Sequence, residues 1–218
     1  MKTIFLAIVF TVFLSVYSEA QNNENYYEPR TLFSGGTKVT GWFFDFNNSY
    51  SEINGKHSHL PGFTGGIVMN RNFRMGLTGK SLSCYETYLK YNTLFDEPVY
   101  LVGGYGGFYF EASPIDDKVV HISFPLIIGG GGASYLTKER YHDYEEDDDD
   151  WDFDRNELSS SPFFIIEPGV NLEVNIISFM KLHSGFSYHW TNGLDLQKTS
   201  RSAFNSWSFN LGLMFGKF

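Results

Sequence analysis

Apolar and polar residues alternate along much of the chain with a period of two. In the segment 163–176 the even-numbered positions are apolar, while the odd-numbered positions include carboxylates, amides and glycine. The segments 73–82, 180–190 and 207–215 show the same alternation. Because successive side chains of a β-strand point to opposite faces, this pattern predicts strands with one apolar and one polar face.

Four further segments are rich in aromatic residues or glycine and alternate only in part: 37–46, 62–69, 98–112 and 118–137. With these, the chain has eight predicted strands. The connections between them are long at 47–61, 83–97, 138–161 and 191–203, and short at 70–72, 113–117 and 176–178.

The regular change between short and long connections places all the long ones at one end of the sheet. Bacterial outer-membrane barrels pair short periplasmic turns with longer outer loops, and their tilted strands need roughly 9–11 residues to cross the bilayer. The pattern therefore predicts an all-β fold, a closed eight-stranded antiparallel up-and-down transmembrane β-barrel. In such a barrel the strand at 37–46 must pair with the strand at 204–216.

The N-terminal residues have the three parts of a secretory signal peptide. Lys2 precedes an apolar run at 4–14, and small residues around Ala20 form a cleavage site. The run is too short for a bilayer-spanning helix, which needs roughly 20 apolar residues. We therefore predict a cleaved signal peptide at 1–20, an N-terminal periplasmic segment at 21–36 and an outer-membrane barrel at 37–218.

Composition narrows the choice of partners. The formal net charge of −9 and a pI near 5.1 argue against nucleic acid. Cys84 is the single cysteine, so no disulfide within the chain is expected. The glycine clusters at 103–107 and 129–132 lack the Gly-Lys-Ser/Thr sequence of phosphate-binding loops, and we predict neither a cofactor nor a metal site among them.

The chain ends within an alternating strand, WSFNLGLMFGKF. With its strand number and loop pattern, the sequence resembles the small eight-stranded outer-membrane barrels of Gram-negative bacteria, which include the OmpA transmembrane domain and OmpX-like proteins. The resemblance implies an outer-membrane location among lipids and lipopolysaccharide. It also implies that Phe218 is an assembly signal for the barrel assembly machinery. Phe218 shares parity with Asn210 and Gly212 instead of Phe215, so either a bulge shifts the strand or Phe218 extends beyond the bilayer.

The interior of an eight-stranded barrel is just wide enough to be filled by side chains. The polar faces of the predicted strands carry charges of both signs, which should pair because an isolated charge in a dry interior is costly. The residues of this predicted network are Arg74, Lys80, His121, Glu167, Glu173, Lys181, His183 and His189. If 176–178 is a three-residue turn, Glu173 lies directly opposite Lys181.

An acidic run at 145–154 lies in the longest predicted loop. Carboxylates are ligands for hard divalent cations, which could bridge this loop to anionic lipopolysaccharide. A solvated loop extended by repulsion between like charges accounts for the same residues. Both interpretations stay open from the sequence.

Three functions are compatible with the predicted barrel. The leading one is a non-enzymatic integral outer-membrane protein with a structural or surface-interaction role. The second is a membrane-embedded lipid A-modifying hydrolase, since His121 and Ser123 lie on one face of a strand as a base and a nucleophile would. The third is a soluble lipocalin-like ligand carrier. The apolar face of 164–176 distinguishes the third, because it faces outward in a membrane barrel and inward in a carrier.

Overall fold

Antiparallel strands make up most of the residues that the computed structural model describes, which are 38–53, 56–82, 89–90, 99–114, 118–137, 157–197 and 199–218. The strands within these ranges are β1 Val39–Ile53, β2 Lys56–Met69, β3 Phe73–Leu82, β4 Leu89–Lys90, β5 Val99–Ala112, β6 Val120–Thr137, β7 Glu157–Ile177, β8 Met180–Asn192 and β9 Ser206–Lys217. The predicted signal peptide, the periplasmic segment 21–36, Cys84 and the acidic run 145–154 lie outside them. None of the described residues belongs to a helix long and apolar enough to span a bilayer.

Eight of these strands close into an antiparallel barrel, which confirms the predicted fold class. Neighbours in the barrel are neighbours in sequence, except that the two-residue β4 comes between β3 and β5 in the chain and pairs with β5 beyond the end of the β3–β5 ladder. Closure is made by β1 and β9, whose ladder runs from the pair Trp42 and Lys217 to the pair Ser51 and Ser208. The expected pairing of the first and last strands is therefore confirmed. Closure leaves no barrel edge with unpaired backbone groups.

The barrel has a turn end and a loop end. At the turn end β2 and β3 are joined through Asn70 and Arg71, whose φ angles of 52° and 66° are those of a tight hairpin turn. Asn70 also accepts a hydrogen bond from the backbone N–H of Lys38 through its Oδ1 at 3.0 Å. The end of β5 and the start of β6, the turn at 178–179 between β7 and β8, and the end of β9 also lie at the turn end, and the opposite end of the strands is the loop end.

The prediction of a long connection at 47–61 is wrong. β1 continues to Ile53 and β2 begins at Lys56, so most of this segment is a hairpin. Its outward positions, such as Asn48 and Glu52, are polar, and the apolar alternation that marks a strand is therefore missing. The hydrogen-bonded ladder continues without it, because backbone pairing does not depend on apolar side chains.

The predicted register between β7 and β8 is also wrong. Glu173 lies opposite His183, and Lys181 lies opposite Asn175. The turn has only two residues, at 178–179, and the register shifts between Asn175 and Ile177. A bulge of this kind inserts an extra residue into one strand and moves every pair beyond it. Alternation reports which face a side chain occupies but does not reveal such an insertion.

The two faces of the wall differ sharply. Outward positions carry large apolar side chains that are exposed, including Phe46, Phe63, Leu77, Phe108, Ile122, Phe164, Leu172, Phe186, Phe209 and Leu211. Inward positions carry buried polar and charged side chains, with apolar clusters nearer the two ends. The apolar face of 164–176 points outward. The barrel is therefore polar inside and apolar outside, the reverse of a soluble carrier.

Candidate functional site

Two charged clusters lie in the barrel interior among the residues that the structure describes. The one nearer the turn end is centred on Arg74 of β3. Its Nε lies 3.1 Å from Glu111 Oε2 on the adjacent β5, and its Nη2 donates to Glu173 Oε1 on β7 at 2.6 Å. Nη1 lies 3.1 Å from the sulfur of Met214 on β9. A single guanidinium thus joins two buried carboxylates from different sides of the lumen, using the fixed fork of donors that arginine provides.

Glu173 collects further donors around its second oxygen. His121 Nε2 lies 2.9 Å from Oε2, and Lys181 Nζ lies 3.8 Å from the same atom. Lys181 therefore reaches Glu173 diagonally, although it is not its directly opposite residue. Glu111 also accepts a hydrogen bond from the hydroxyl of Tyr109. The carboxylates of this cluster are compensated from several strands at once.

A histidine–carboxylate pair lies beside this cluster. His183 Nε2 is 2.8 Å from Asp45 Oδ1, which joins β8 to β1 across β9. Gly212 of β9 stands directly between them, opposite both His183 and Asn47 in the ladder. A Cβ at this glycine would lie 2.3 Å from His183 Nε2, so only glycine leaves space for the imidazole.

The second cluster lies closer to the loop end and is centred on Glu167 of β7. Lys80 Nζ donates to its Oε1 at 2.8 Å, and the Tyr105 hydroxyl donates to Oε2 at 2.6 Å. Ser187 donates to Oε1 at 2.7 Å, and His189 Nε2 lies 3.4 Å from that oxygen. Four neighbours therefore surround one carboxylate, as burial of its charge requires.

All eight residues of the predicted network are buried inside the barrel and contribute to these contacts. Sequence reasoning missed four of their partners, which are Asp45, Tyr105, Tyr109 and Glu111. Asp45 had a usable signal, since it stands between the outward rings of Phe44 and Phe46. The three residues of β5 lie in a glycine-rich stretch where the alternation is interrupted.

Apolar side chains fill the lumen beyond both clusters. Towards the loop end, Leu194, Leu196 and Phe204 of the β8–β9 connection pack against inward residues such as Tyr135 and Phe163. The connection is held by Tyr135, whose hydroxyl lies 2.5 Å from Thr199 Oγ1. Leu194, Leu196, Phe204 and the buried residues that they pack against form an apolar plug inside the lumen at its loop end.

Phe218 belongs to the turn end of the lumen. Its ring packs against a buried cluster that includes Phe43 and Met214, and Lys181 Nζ lies 4.3 Å from the ring centre. The ladder between β8 and β9 has no register shift, so no bulge moves the strand. The parity noted in the sequence is real, and it directs the last side chain towards the interior of the barrel.

No family model matches the sequence, and no curated protein matches it. Solved structures do match. The N-terminal β-barrel domain of Pseudomonas aeruginosa OprF is 9% identical with a TM-score of 0.51, over 82% of this chain and 98% of that domain. Neisserial surface protein A is 11% identical with a TM-score of 0.55, over 84% of this chain and 99% of that protein.

The chain has the fold of the small eight-stranded outer-membrane β-barrels. At this level of identity the likeness concerns the fold alone. In this outer-membrane barrel fold, the charged clusters lie within the part of the wall whose outer face carries the exposed apolar residues. Their ion pairs and hydrogen bonds consequently connect strands that are distant in sequence.

The His121 and Ser123 pair differs from a hydrolase site in two ways. Both nitrogens of His121 are engaged, Nε2 by Glu173 and Nδ1 by the carbonyl oxygen of Lys118 at 3.2 Å. Ser123 is fully buried inside the barrel wall, away from the outer face that a lipid substrate would reach. The carboxylate of Glu173 orients the histidine, but the arrangement favours a role in the charged cluster.

Replacing Gly212 with alanine should lower the free energy of unfolding by roughly 1–3 kcal/mol, the usual effect of overpacking. The added methyl would push His183 away from Asp45. Gly132→Ala is the matched control, because its Cβ would come no closer than 3.9 Å to a neighbour. Urea unfolding of the barrel refolded in lipid vesicles measures both. Equal stability of the two variants would contradict the packing of His183 over Gly212.

Proposed function

We propose that this protein is an integral outer-membrane barrel with a non-enzymatic structural or surface-interaction role, exported by a cleaved signal at 1–20. The observation that carries the proposal is the apolar outer face of the closed barrel. Outward residues such as Leu77, Phe108 and Leu211 are 61%, 60% and 50% exposed. In water such a surface would promote aggregation, whereas in a bilayer its apolar side chains contact the lipid chains.

The distribution of aromatic residues supports the same location. Trp42 is exposed near the turn end, and Tyr188 and Trp207 lie near the loop end with ring centres 5.2 Å apart. Amphipathic rings favour the two interfaces of a bilayer. The apolar residues between them, on strands of suitable length, would lie in the hydrocarbon.

The interior supports a structural role over solute passage. The two charged clusters and the apolar plug occupy the lumen in the described residues, and their contacts bridge strands across it. Surface interaction is assigned to the loop end, where the acidic run 145–154 belongs in sequence. Lipopolysaccharide is the proposed partner there, with divalent cations as the bridging ions.

The location is tested by expressing the full chain in a Gram-negative host and separating its membranes. The proposal expects the mature protein in the outer-membrane fraction, resistant to carbonate extraction and without residues 1–20 at its N-terminus. Recovery in the soluble periplasmic fraction would contradict it. Lipopolysaccharide binding by the purified barrel, with and without Mg²⁺, tests the surface role separately.

Phe218 is proposed as the assembly signal, and Phe218→Ala should reduce the amount of folded barrel in the outer membrane of cells. Because Phe218 also contacts Lys181, a loss of folded stability must be separated from a loss of recognition. Refolding of the purified variant into vesicles makes that distinction, since no assembly machinery is present. Phe215→Ala, on the outward face of the same strand, is the comparison. Equal assembly of both variants would oppose a special role for the terminal ring.

A further inference from the structure

A groove lies in the outer face of the barrel on the loop-end side, where β1, β2, β3 and β5 are neighbours. Its volume is about 660 Å³, which falls within the roughly 300–1,000 Å³ of pockets that hold small ligands. The residues that line this wall groove include Phe46, Pro61, Phe63, Ser81 and Tyr105. The groove is therefore large enough for a ligand and opens on the apolar side of the wall.

The wall groove lies where two neighbouring strands stop pairing. The ladder between β2 and β3 ends with Gly62 opposite Lys80, although β2 begins at Lys56 and β3 continues to Leu82. Pro61, the next residue of β2 towards the loop end, has no backbone N–H to donate to a ladder. Because the strands separate here, the groove is lined by residues from both faces of the wall.

Three phenylalanine rings form one side of the wall groove. Phe46 and Phe63 are 58% and 56% exposed. The rings of Phe44 and Phe63 are stacked with centres 6.5 Å apart, and the ring of Phe46 meets that of Phe44 edge-on at 4.7 Å. The ring of Phe63 lies against Gly79 of β3, where a Cβ would come within 3.3 Å of its Cζ. These contacts hold the rings together as a continuous apolar side.

The opposite side of the wall groove is nearly bare backbone. The residues of β5 that lie opposite Gly79 and Ser81 are Gly106 and Gly104. One outward position nearer the turn end, Leu77 is 61% exposed. Large side chains therefore stand beside the groove, whereas none rises on its β5 side. In a bilayer lipid must fill such a depression, because a void would lose dispersion contacts along its lining.

The charged and phenolic groups among the lining residues are already bound inside the barrel. Lys80 Nζ donates to Ser49 Oγ at 3.0 Å and to Glu167 Oε1 at 2.8 Å. The Tyr105 hydroxyl donates to Glu167 Oε2 at 2.6 Å. Lys80 and Tyr105 thus direct their polar ends to the lumen. The wall groove offers mainly apolar contacts, which fit a hydrocarbon chain better than an anion or a polar solute.

We propose that the wall groove binds one acyl chain of lipid A, the lipid part of lipopolysaccharide. The inference rests on the proposed outer-membrane location. The groove is continuous with the apolar face that contacts the bilayer, and the loops at its end of the barrel are the outer ones in this class of protein. Lipids of the outer leaflet are therefore the ligands that reach it. A second barrel is a poorer ligand, since its convex wall would touch the rims and leave the groove unfilled.

The test is native mass spectrometry of the barrel purified in mild detergent from the outer membrane of a Gram-negative host. We expect one molecule of lipid A or lipopolysaccharide to remain bound after the detergent is removed. A barrel without bound lipid in the outer-membrane fraction would overturn the groove assignment but not the location. A retained phospholipid would overturn the assignment to the outer leaflet, and a dimer of barrels would indicate a second copy as the ligand.

A substitution localises the lipid. Ser81→Phe places a ring in the wall groove from an exposed outward position and should lower the retained fraction roughly tenfold, because chain and ring cannot share the space. Ser184→Phe, at an outward position of β8 away from the groove, is the matched control and should retain the lipid. Equal retention by the two variants would overturn the proposed position.

NMR of the unsubstituted barrel gives an independent measurement if Ser81→Phe does not fold. In deuterated detergent, added lipid A is the main source of acyl protons. We expect cross-peaks from its methylenes to the amides of Phe63, Gly79 and Ser81, and weaker ones or none to Ser184. Cross-peaks of equal strength around the whole outer face would mean that the groove has no preference for the chain, which would overturn the proposal.

Discussion

Replacement of Arg74 by methionine is expected to lower the free energy of unfolding of the barrel by about 3–5 kcal/mol. Arg74 is the cation closest to both Glu111 and Glu173, at 3.1 and 2.6 Å. Methionine fills much of the same volume but leaves the two carboxylates facing each other in a buried space. The loss comes from the uncompensated charges more than from the missing contact. Urea titration in lipid vesicles, followed by tryptophan fluorescence, measures it.

Two further variants separate charge from packing. Adding Glu111→Gln to Arg74→Met removes the carboxylate whose ion pair is with Arg74, while Glu173 keeps its contacts with His121 and Lys181. The double variant should therefore recover part of the lost stability, because buried ion pairs are often replaceable by neutral groups. Lys38→Met changes the net charge by the same amount as Arg74→Met, but at an exposed turn-end position. It should alter the free energy of unfolding by no more than about 0.5 kcal/mol. If the double variant is no more stable than Arg74→Met alone, uncompensated charge is not the cause.

A positive charge at the centre of the outer face is expected to be the other large perturbation. Leu211 lies midway along β9 between the outward Trp207 and Phe215, and it is half exposed. Leu211→Arg should destabilise the barrel in vesicles by roughly 2–4 kcal/mol, as measured for charged residues at the bilayer midplane. The reason is transfer of a guanidinium into hydrocarbon.

The control for this experiment is Ser202→Arg, at an exposed position of the β8–β9 connection. It adds the same charge outside the apolar face and should have little effect. An equal loss from both substitutions would mean that Leu211 does not face lipid. Comparison of vesicles with thinner and thicker bilayers adds a second check, since the cost at Leu211 should fall as the charge comes nearer an interface.

The two charged clusters explain how a barrel of this size tolerates so many buried charges. Each cluster has one carboxylate with several donors, Glu173 near the turn end and Glu167 nearer the loop end. The partners of Glu173 come from β3, β6 and β8. The partners of Glu167 come from β3, β5 and β8, where Ser187 and His189 are two residues apart. The clusters therefore couple strands that share no ladder, and the fully satisfied carboxylates favour one strand arrangement over a shifted one.

The sequence alone determined the properties that depend on local periodicity. Alternation placed Arg74, Glu167 and the other predicted residues on the polar face, because a strand turns each successive side chain to the opposite side. The strand at Phe73–Leu82 was predicted with its observed bounds for the same reason. The pairing of the first and last strands also followed, since a sheet in hydrocarbon cannot keep open edges.

Only the tertiary structure decided which of these side chains meet. Arg74 and Glu173 are 99 residues apart and share no ladder, so their contact depends on the stagger of all the strands between them. The bulge between Asn175 and Ile177 changed the partner of Glu173. No periodicity in the sequence indicates that Leu194, Leu196 and Phe204 pack inside the lumen. The face that a side chain occupies is a local property of its strand. Register and closure depend on all the strands of the barrel, because each inserted residue displaces every pair that follows.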